Sequence, residues 1–273
     1  MANTISSTTF TQEAKESVLQ MNLESMTVAK RISEFKSGVK VIENPYTDAV
    51  AVTLNTPMTG GYTPADITTV DDNLTVTDEA IYSFHIRNFE EVFSDFDLGS
   101  KHLSIAASKL AQAIDKDLFV QLAAGASNTI TVTGGFTAAN VIEEVSKLSA
   151  FLAGYENSLN GSYLIIDADQ MPAFVEAGAL SGFTFADSVL NNGFTGKDYM
   201  GHEIYVVRGT LPATTALAGI KGASTTGTGV QGVTLEEKGV SGKTGMEYAA
   251  YVYFKSALWN NAEDLVVKYD LAA

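Results

Sequence analysis

The chain has no cysteine, so disulfide frameworks, thiolate metal sites and cysteine nucleophiles are all excluded. It is also short of positive charge: 17 basic residues stand against 32 acidic ones, for a net charge of -15 over 273 residues. A protein built mainly to grip nucleic acid carries a basic footprint, and this composition has none. An acidic surface instead resists adhesion to polyanions, which suits a protein that must sit beside concentrated DNA without binding it tightly. No apolar run approaches the roughly 18 residues that a membrane span needs. The opening, Met1 to Phe10, lacks the basic start and greasy middle of a secretion signal. A soluble, unsecreted protein with no membrane contact is expected. No internal repeat is present.

What the chain does have is 45% hydrophobic and 18% charged residues, a globular balance with enough length for one or two cores. Its most informative stretch is a polar excursion from Asn55 to Asn73, carrying Pro57, Gly60, Gly61 and Pro64. Compact domains keep loops of this length when they serve function or are disordered. Short extended pieces are expected before it, around Val39–Ile42 and Ala49–Leu54, interrupted at Pro45. Alternating text from Leu74 to Ile86 predicts one long strand after it. Together they form an extended hairpin with a loose tip that finds its packing partner on another molecule. Met58, Tyr62, Ile67, Val70, Asp71 and Asp72 are the candidate inter-subunit contacts.

Apolar spacing predicts a helix from Gln12 to about Phe35. A second, much longer helix starts at a cap on Asp95 or Asp97 and ends at Gly125, a residue suited to a helix C-terminus. Leu103, Ala107, Leu110, Ile114 and Leu118 recur at three- and four-residue spacing and form its buried stripe. Lys101, Lys109 and Lys116 fall together on roughly the opposite side. Beyond it come a strand at Thr129–Thr133, a turn at Gly134-Gly135, a helix over about 138–153 and the nearly all-apolar strand Tyr163–Asp167, covered on both faces. A third helix over about 169–177 tolerates Pro172 in its first turn, and Glu203–Val207 is a strand. The Gly-, Thr- and Ser-rich region 211–245 is expected to be an irregular insertion, and strands at 246–255 and 264–269 close the chain. This order makes a compact α/β core linked to a second, elongated element, an α+β arrangement.

Candidate chemistry is sparse. His85, His102 and His202 fall in a strand, a helix start and a turn, with no serine in a G-x-S-x-G elbow, and read as ordinary surface or hydrogen-bonded histidines. Asp115 and Asp117 lie two positions apart on a helix and point about 160° from each other, a poor acid/base pair. One is expected to hydrogen-bond across subdomains and the other to be solvated. Asp71-Asp72 and Asp78-Glu79 lack the alternation of a calcium loop and read as solvated surface. Gly227–Gly232 matches G-x-G-x-x-G, but without a buried strand before and a helix after it the dinucleotide reading fails; a flexible loop is expected. No catalytic group, metal or cofactor follows.

Four passages, in order, resemble the major capsid protein of tailed bacteriophages, the Hong Kong 97-type coat fold. Phe84–Asp97 is similar to the family's strand-to-spine passage. Ala106–Leu118, with Ala-x-x-Ile-Asp-x-Asp-Leu, resembles its spine helix. Tyr163–Pro172 resembles the start of its axial subdomain, and Asn192–Val207 followed by Leu211-Pro212 resembles the glycine-marked passage after it. The resemblance implies an N-terminal arm over 1–35, an extended loop hairpin with flanking strands over 36–95 and a peripheral subdomain with the spine helix over 96–135. It further implies an axial subdomain over 136–245 and return strands of the peripheral subdomain over 246–273. The implied function is an icosahedral shell around phage double-stranded DNA, built from pentamers and hexamers of the chain. The implied partners are a portal, a separate scaffold and decoration proteins. The implied location is the virion capsid, with assembly in the host cytoplasm. No fused scaffold segment is expected, and the excursion holds no lysine from which a crosslink could start. An encapsulin-type nanocompartment shares this fold. A soluble α/β enzyme with the excursion as a lid, and a tail-tube or surface-binding protein, remain as alternatives.

Overall fold

Leu98 to Gly125 form one 28-residue helix, α1, about 42 Å long at 1.5 Å per residue. Leu103, Leu110, Ile114 and Leu118 are buried along it as the spacing predicts, joined by Ala106, Phe119 and Leu122. The structure is a computed structural model that describes residues 19, 23, 25–47, 69–87, 98–152, 161–181, 197–237 and 245–272. The proposed caps Asp95 and Asp97, the strand piece at 49–54, and Met58, Tyr62 and Ile67 lie outside these residues. Gly125 ends the helix for a reason other than the one expected. Its backbone is not left-handed; instead a Cβ there would come within 3.0 Å of Leu258 Cδ2, a tight contact with the strand beside it that the leucine side chain would have to relieve.

Two large sheets flank α1. A four-stranded sheet has the order β1 (Glu34–Ser37), β10 (Ser224–Glu237), β11 (Gly245–Leu258), β4 (Asp78–Arg87). A six-stranded sheet runs β5 (Asn128–Thr131), β12 (Val266–Asp270), β9 (Thr215–Ile220), β6 (Ser162–Asp167), β8 (His202–Val207), β7 (Lys197–Tyr199). Strand β6 is buried on both faces, as its all-apolar text predicts. Tyr163 and Ile165 point into a core shared with α1 and the four-stranded sheet. Leu164 and Ile166 point the other way, into a core roofed by α2 (Val141–Leu152) and α3 (Met171–Ser181). The period of two in a strand divides these neighbours between two cores. The 134–135 turn forms with both glycines at positive φ, and Pro172 sits in the first turn of α3.

The described part of region 211–245, residues 211–237, is not an irregular insertion. It supplies β9 and the whole of the 14-residue β10, a strand paired on both sides in its sheet. The Gly-, Thr- and Ser-rich text misleads because its small side chains are a packing requirement. Thr225, Thr226 and Thr228 are fully buried, and a Cβ on Gly227 would lie 3.0 Å from both Ile42 and Val76. The G-x-G-x-x-G run is therefore strand with a register shift between Thr228 and Gln231, not a flexible loop. The two closing strands also separate. β11 joins the four-stranded sheet and β12 the six-stranded one, where it pairs with β9 and β5.

The hairpin is a separate two-stranded ribbon of β2 (Val41–Thr47) and β3 (Thr69–Thr75), with Thr47 opposite Thr69. Pro45 does not interrupt β2; an edge ribbon tolerates a proline whose missing N–H faces away from the partner. Residues 69–73, expected in the loose excursion, are ladder. The expected strand 74–86 is divided at Val76 and Thr77 between β3 and β4.

The helix expected over 12–35 is also divided. Leu19, Leu23, Ser25 and Met26 are helical, but Thr27 and Val28 break the run before a single turn at Ala29–Ile32, and Glu34–Ser37 is strand β1. The cause lies 88 residues away, in Asp115.

Candidate functional site

Among the described residues, Asp115, Asp117 and His202 are each held in hydrogen bonds of the fold. No group of three or more His, Asp or Glu could hold a metal ion there. His202 is fully buried rather than a surface residue. Its Nδ1 lies 2.7 Å from Ser162 Oγ and its Nε2 2.7 Å from Ser149 Oγ, a polar pin joining β8, β6 and α2. The imidazole itself is buried between the two hydroxyls and serves packing. Burial holds the imidazole below its ordinary pKa, so the folded chain binds fewer protons there than the unfolded chain. Stability is then lost as pH falls below about 6.5, where the unfolded histidine charges. His202→Asn should remove that acid-dependent loss, read as a flatter melting temperature between pH 7 and 5.

The candidate site is a set of surfaces, and Asp115 organises the first. It is 5% exposed on α1. Its Oδ1 accepts hydrogen bonds from Thr27 Oγ1 at 2.7 Å and Ala29 N at 2.9 Å; its Oδ2 accepts one from Val28 N at 3.1 Å. Helix starts leave backbone N–H groups unsatisfied, and here a carboxylate remote in sequence caps them. Burial pushes the Asp115 carboxyl up to about 6, against the pull of its three hydrogen bonds. Beyond this cap the segment continues as a strap. Ile32 O accepts from Gly222 N, and β1 pairs in parallel with β10. Asp117 accepts from Ser256 N at 2.8 Å on β11, so neither member of the Asp115/Asp117 pair is the simply solvated one that was expected. Both carboxylates of α1 are thus used within the chain.

The exposed side of α1 is left without acid. Lys109 and Lys116 are exposed there as predicted; of the Lys101 side chain nothing is described. Between them Gln112 accepts from Lys109 Nζ at 3.2 Å and borders a cleft of about 320 Å³ that Arg208 also lines. Sequence reasoning missed Arg208, because only the tertiary structure brings the end of β8 beside α1.

On the ribbon, alternation sends Ile42 and Leu74 into the core, with Val70 on the same, inner side. Asp72 also faces inward and accepts from Asn260 N at 2.9 Å, so it serves its own chain. Asp71 and Glu43 are exposed on the outer side. Asp78 is not simply solvated either: Lys255 lies 2.6 Å away and holds its carboxyl below the ordinary range. The outer face of the four-stranded sheet leaves Ile81 60% exposed opposite Tyr251.

No protein-family model matches the chain, and no curated protein matches its sequence. Solved structures do match. The capsid of the cyanophage P-SCSP1u is 14% identical with a TM-score of 0.67, over 90% of this chain and 88% of that one. A chain of Mycobacterium phage Che8 is 14% identical with a TM-score of 0.66, over 85% of each chain. A virus-like particle from Pyrococcus furiosus is 13% identical with a TM-score of 0.61, over 95% of this chain and 99% of that one. The chain has the phage capsid fold expected from its motifs, an α+β arrangement with a long helix between two sheets.

Proposed function

We propose that the chain is a major capsid protein whose copies close, in rings of five and six, into an icosahedral shell around bacteriophage double-stranded DNA. The observation that carries this reading is the extent of the structural match. It spans 90% of this chain and 88% of a cyanophage capsid chain. The mechanism is geometric. The ribbon, hydrogen-bonded into neither large sheet, lies across the peripheral part of the next copy and buries apolar residues such as Met58, Tyr62 and Ile67, while Val70 faces its own chain. At about 25 cal/mol per Å² of apolar area, modest contacts repeated over every copy make a pressure-resistant shell. A portal and a separate scaffold are the partners this reading implies, with decoration proteins as optional additions. The location is the virion, after assembly in the host cytoplasm.

Negative-stain electron microscopy of the purified chain tests the reading. Closed, uniform spheres are expected; a stable monomer or a tube would reject it. Particles from infected cells should contain DNA. Shells that hold an enzyme and no genome would make the chain a nanocompartment protein instead.

A further inference from the structure

The edges of the two large sheets are unequal. An open edge invites pairing with another chain, and folded proteins blunt their edges with short strands, prolines or bulges. Three of the four outer strands are blunted by length: β1 and β5 have four residues each and β7 has three. β4 is the exception, with ten residues from Asp78 to Arg87, about 33 Å of extended backbone. It holds no proline, and its ladder with β11 runs from Gly245 opposite Arg87 to Phe254 opposite Asp78 without a register shift. Among the described residues nothing pairs with its other side.

The side chains of β4 say what its partner should look like. Ile81 is 60% exposed, more than any other large apolar side chain described. Glu79 precedes it near the start of the strand, while His85 and Arg87 stand at the end. These odd-numbered positions share the outer face. Asp78 is already matched by Lys255 of its own chain; Glu79 receives a hydrogen bond from Tyr253 and stays exposed. The outer face of β4 is therefore acidic at one end, basic at the other and apolar between. Such a strand complements a copy of itself that runs antiparallel, whereas a parallel copy would set like charge against like.

We propose that β4 of one copy pairs antiparallel with β4 of a second copy across a two-fold axis at Ser83, joining two four-stranded sheets into one of eight strands. In that register Glu79 stands opposite Arg87, Ile81 opposite His85 and Ser83 opposite its own counterpart. Odd positions oppose odd ones and even oppose even, so the outer faces of both sheets stay on one side. The contact is isologous, one patch meeting itself. A shell needs such contacts beside the head-to-tail ones that close each ring, because neighbouring rings face each other across two-fold axes. The inference rests on the shell reading and deepens it by naming what ties ring to ring.

The lack of cysteine in the chain makes the contact easy to test. Ser83→Cys places one thiol at the axis of the full chain, where the Cβ atoms of opposed residues are about 4.5–5.5 Å apart. Ser104→Cys, at an exposed position of α1, is the control. Matching melting temperatures confirm that each variant is folded. Mild oxidation or a short bismaleimide should convert Ser83→Cys chains into covalent dimers and nothing larger, since each thiol meets one counterpart. The control should give about tenfold less dimer, because a disulfide demands close, well-directed Cβ atoms. Ile81→Lys should lower particle yield about tenfold, the effect of losing one buried apolar side chain, while rings of five and six persist in sedimentation velocity. Ser83→Cys dimers no more abundant than the control's would overturn the contact, and normal particles in that sample would leave the shell reading standing. An unchanged yield from Ile81→Lys, or loss of its rings together with its particles, would also overturn it. Abundant Ser83→Cys dimers in a chain that never closes into particles would keep the contact and discard the shell.

Discussion

Replacing Asp115 with alanine should be among the most damaging single changes in this chain, lowering stability by about 3–5 kcal/mol. The substitution leaves the Thr27 hydroxyl and the Val28 and Ala29 amides without an acceptor, and all three residues are at most 1% exposed. An orphaned buried donor costs about 1–3 kcal/mol; relief of the cost of burying a carboxylate offsets part of the sum. Asp115→Asn should fall between. Its oxygen can still serve Thr27 and Ala29, but its amide then faces the Val28 N–H, donor against donor. Urea unfolding followed by Trp259 fluorescence measures the loss. Limited proteolysis near residue 27 should show the strap opening before the rest of the chain. The pH dependence has a definite sign. A carboxyl raised to about 6 on folding contributes stability that is present below its unfolded value near 4 and is lost as pH rises through about 6. Asp115→Asn abolishes that component. A variant that unfolds like the wild type, with the strap equally protected, would show that the cap is incidental.

Gly219→Ala should cost about 3 kcal/mol, near the upper end of overpacking effects. In β9, Gly219 sits between Tyr163 of β6 and Val266 of β12. A Cβ would stand 2.9 Å from the Leu265 carbonyl oxygen and 3.1 Å from Tyr163 Oη. Side chains can rotate away; the carbonyl belongs to the backbone that leads into β12 and cannot move without shifting that strand. Gly161→Ala is the control, since its Cβ would meet nothing nearer than Lys221 Cβ at 3.9 Å. It should change stability by no more than about 0.5 kcal/mol. Equal melting temperatures for the two variants would refute this account. A smaller yield of particles from Gly219→Ala than from Gly161→Ala would connect the six-stranded sheet to assembly.

The comparison of α1 with β10 shows what kind of structure can be read in one dimension. The pattern of α1 is local: its leucines and isoleucine recur every three or four residues, and its lysines fall on the other side by the same count. In β10 the informative residues are Gly, Thr and Ser, chosen because another element lies close. Gly227 is small because Ile42 and Val76 approach from the ribbon base, and nothing in its neighbours announces them. The strap shows the same limit. Apolar spacing continued the helix to Phe35, but Asp115 draws the amides at 28 and 29 to itself and breaks the helix at Thr27. The surfaces divide likewise: Lys109, Lys116 and Asp71 were legible as exposed charges, whereas Arg208 joined them only through folding, and Asp72 proved to face its own chain.

By itself the sequence determined the cysteine-free, acidic character of the protein, its long helix, the doubly covered strand β6 and the order of motifs that resembles a phage coat. These depend on composition and on periods of two and 3.6 residues, which are properties of adjacent positions. Tertiary structure alone decided that both carboxylates of α1 are spent inside the chain and that small residues build a central strand. Those outcomes depend on which distant groups meet at hydrogen-bond distance, and no local pattern encodes that meeting.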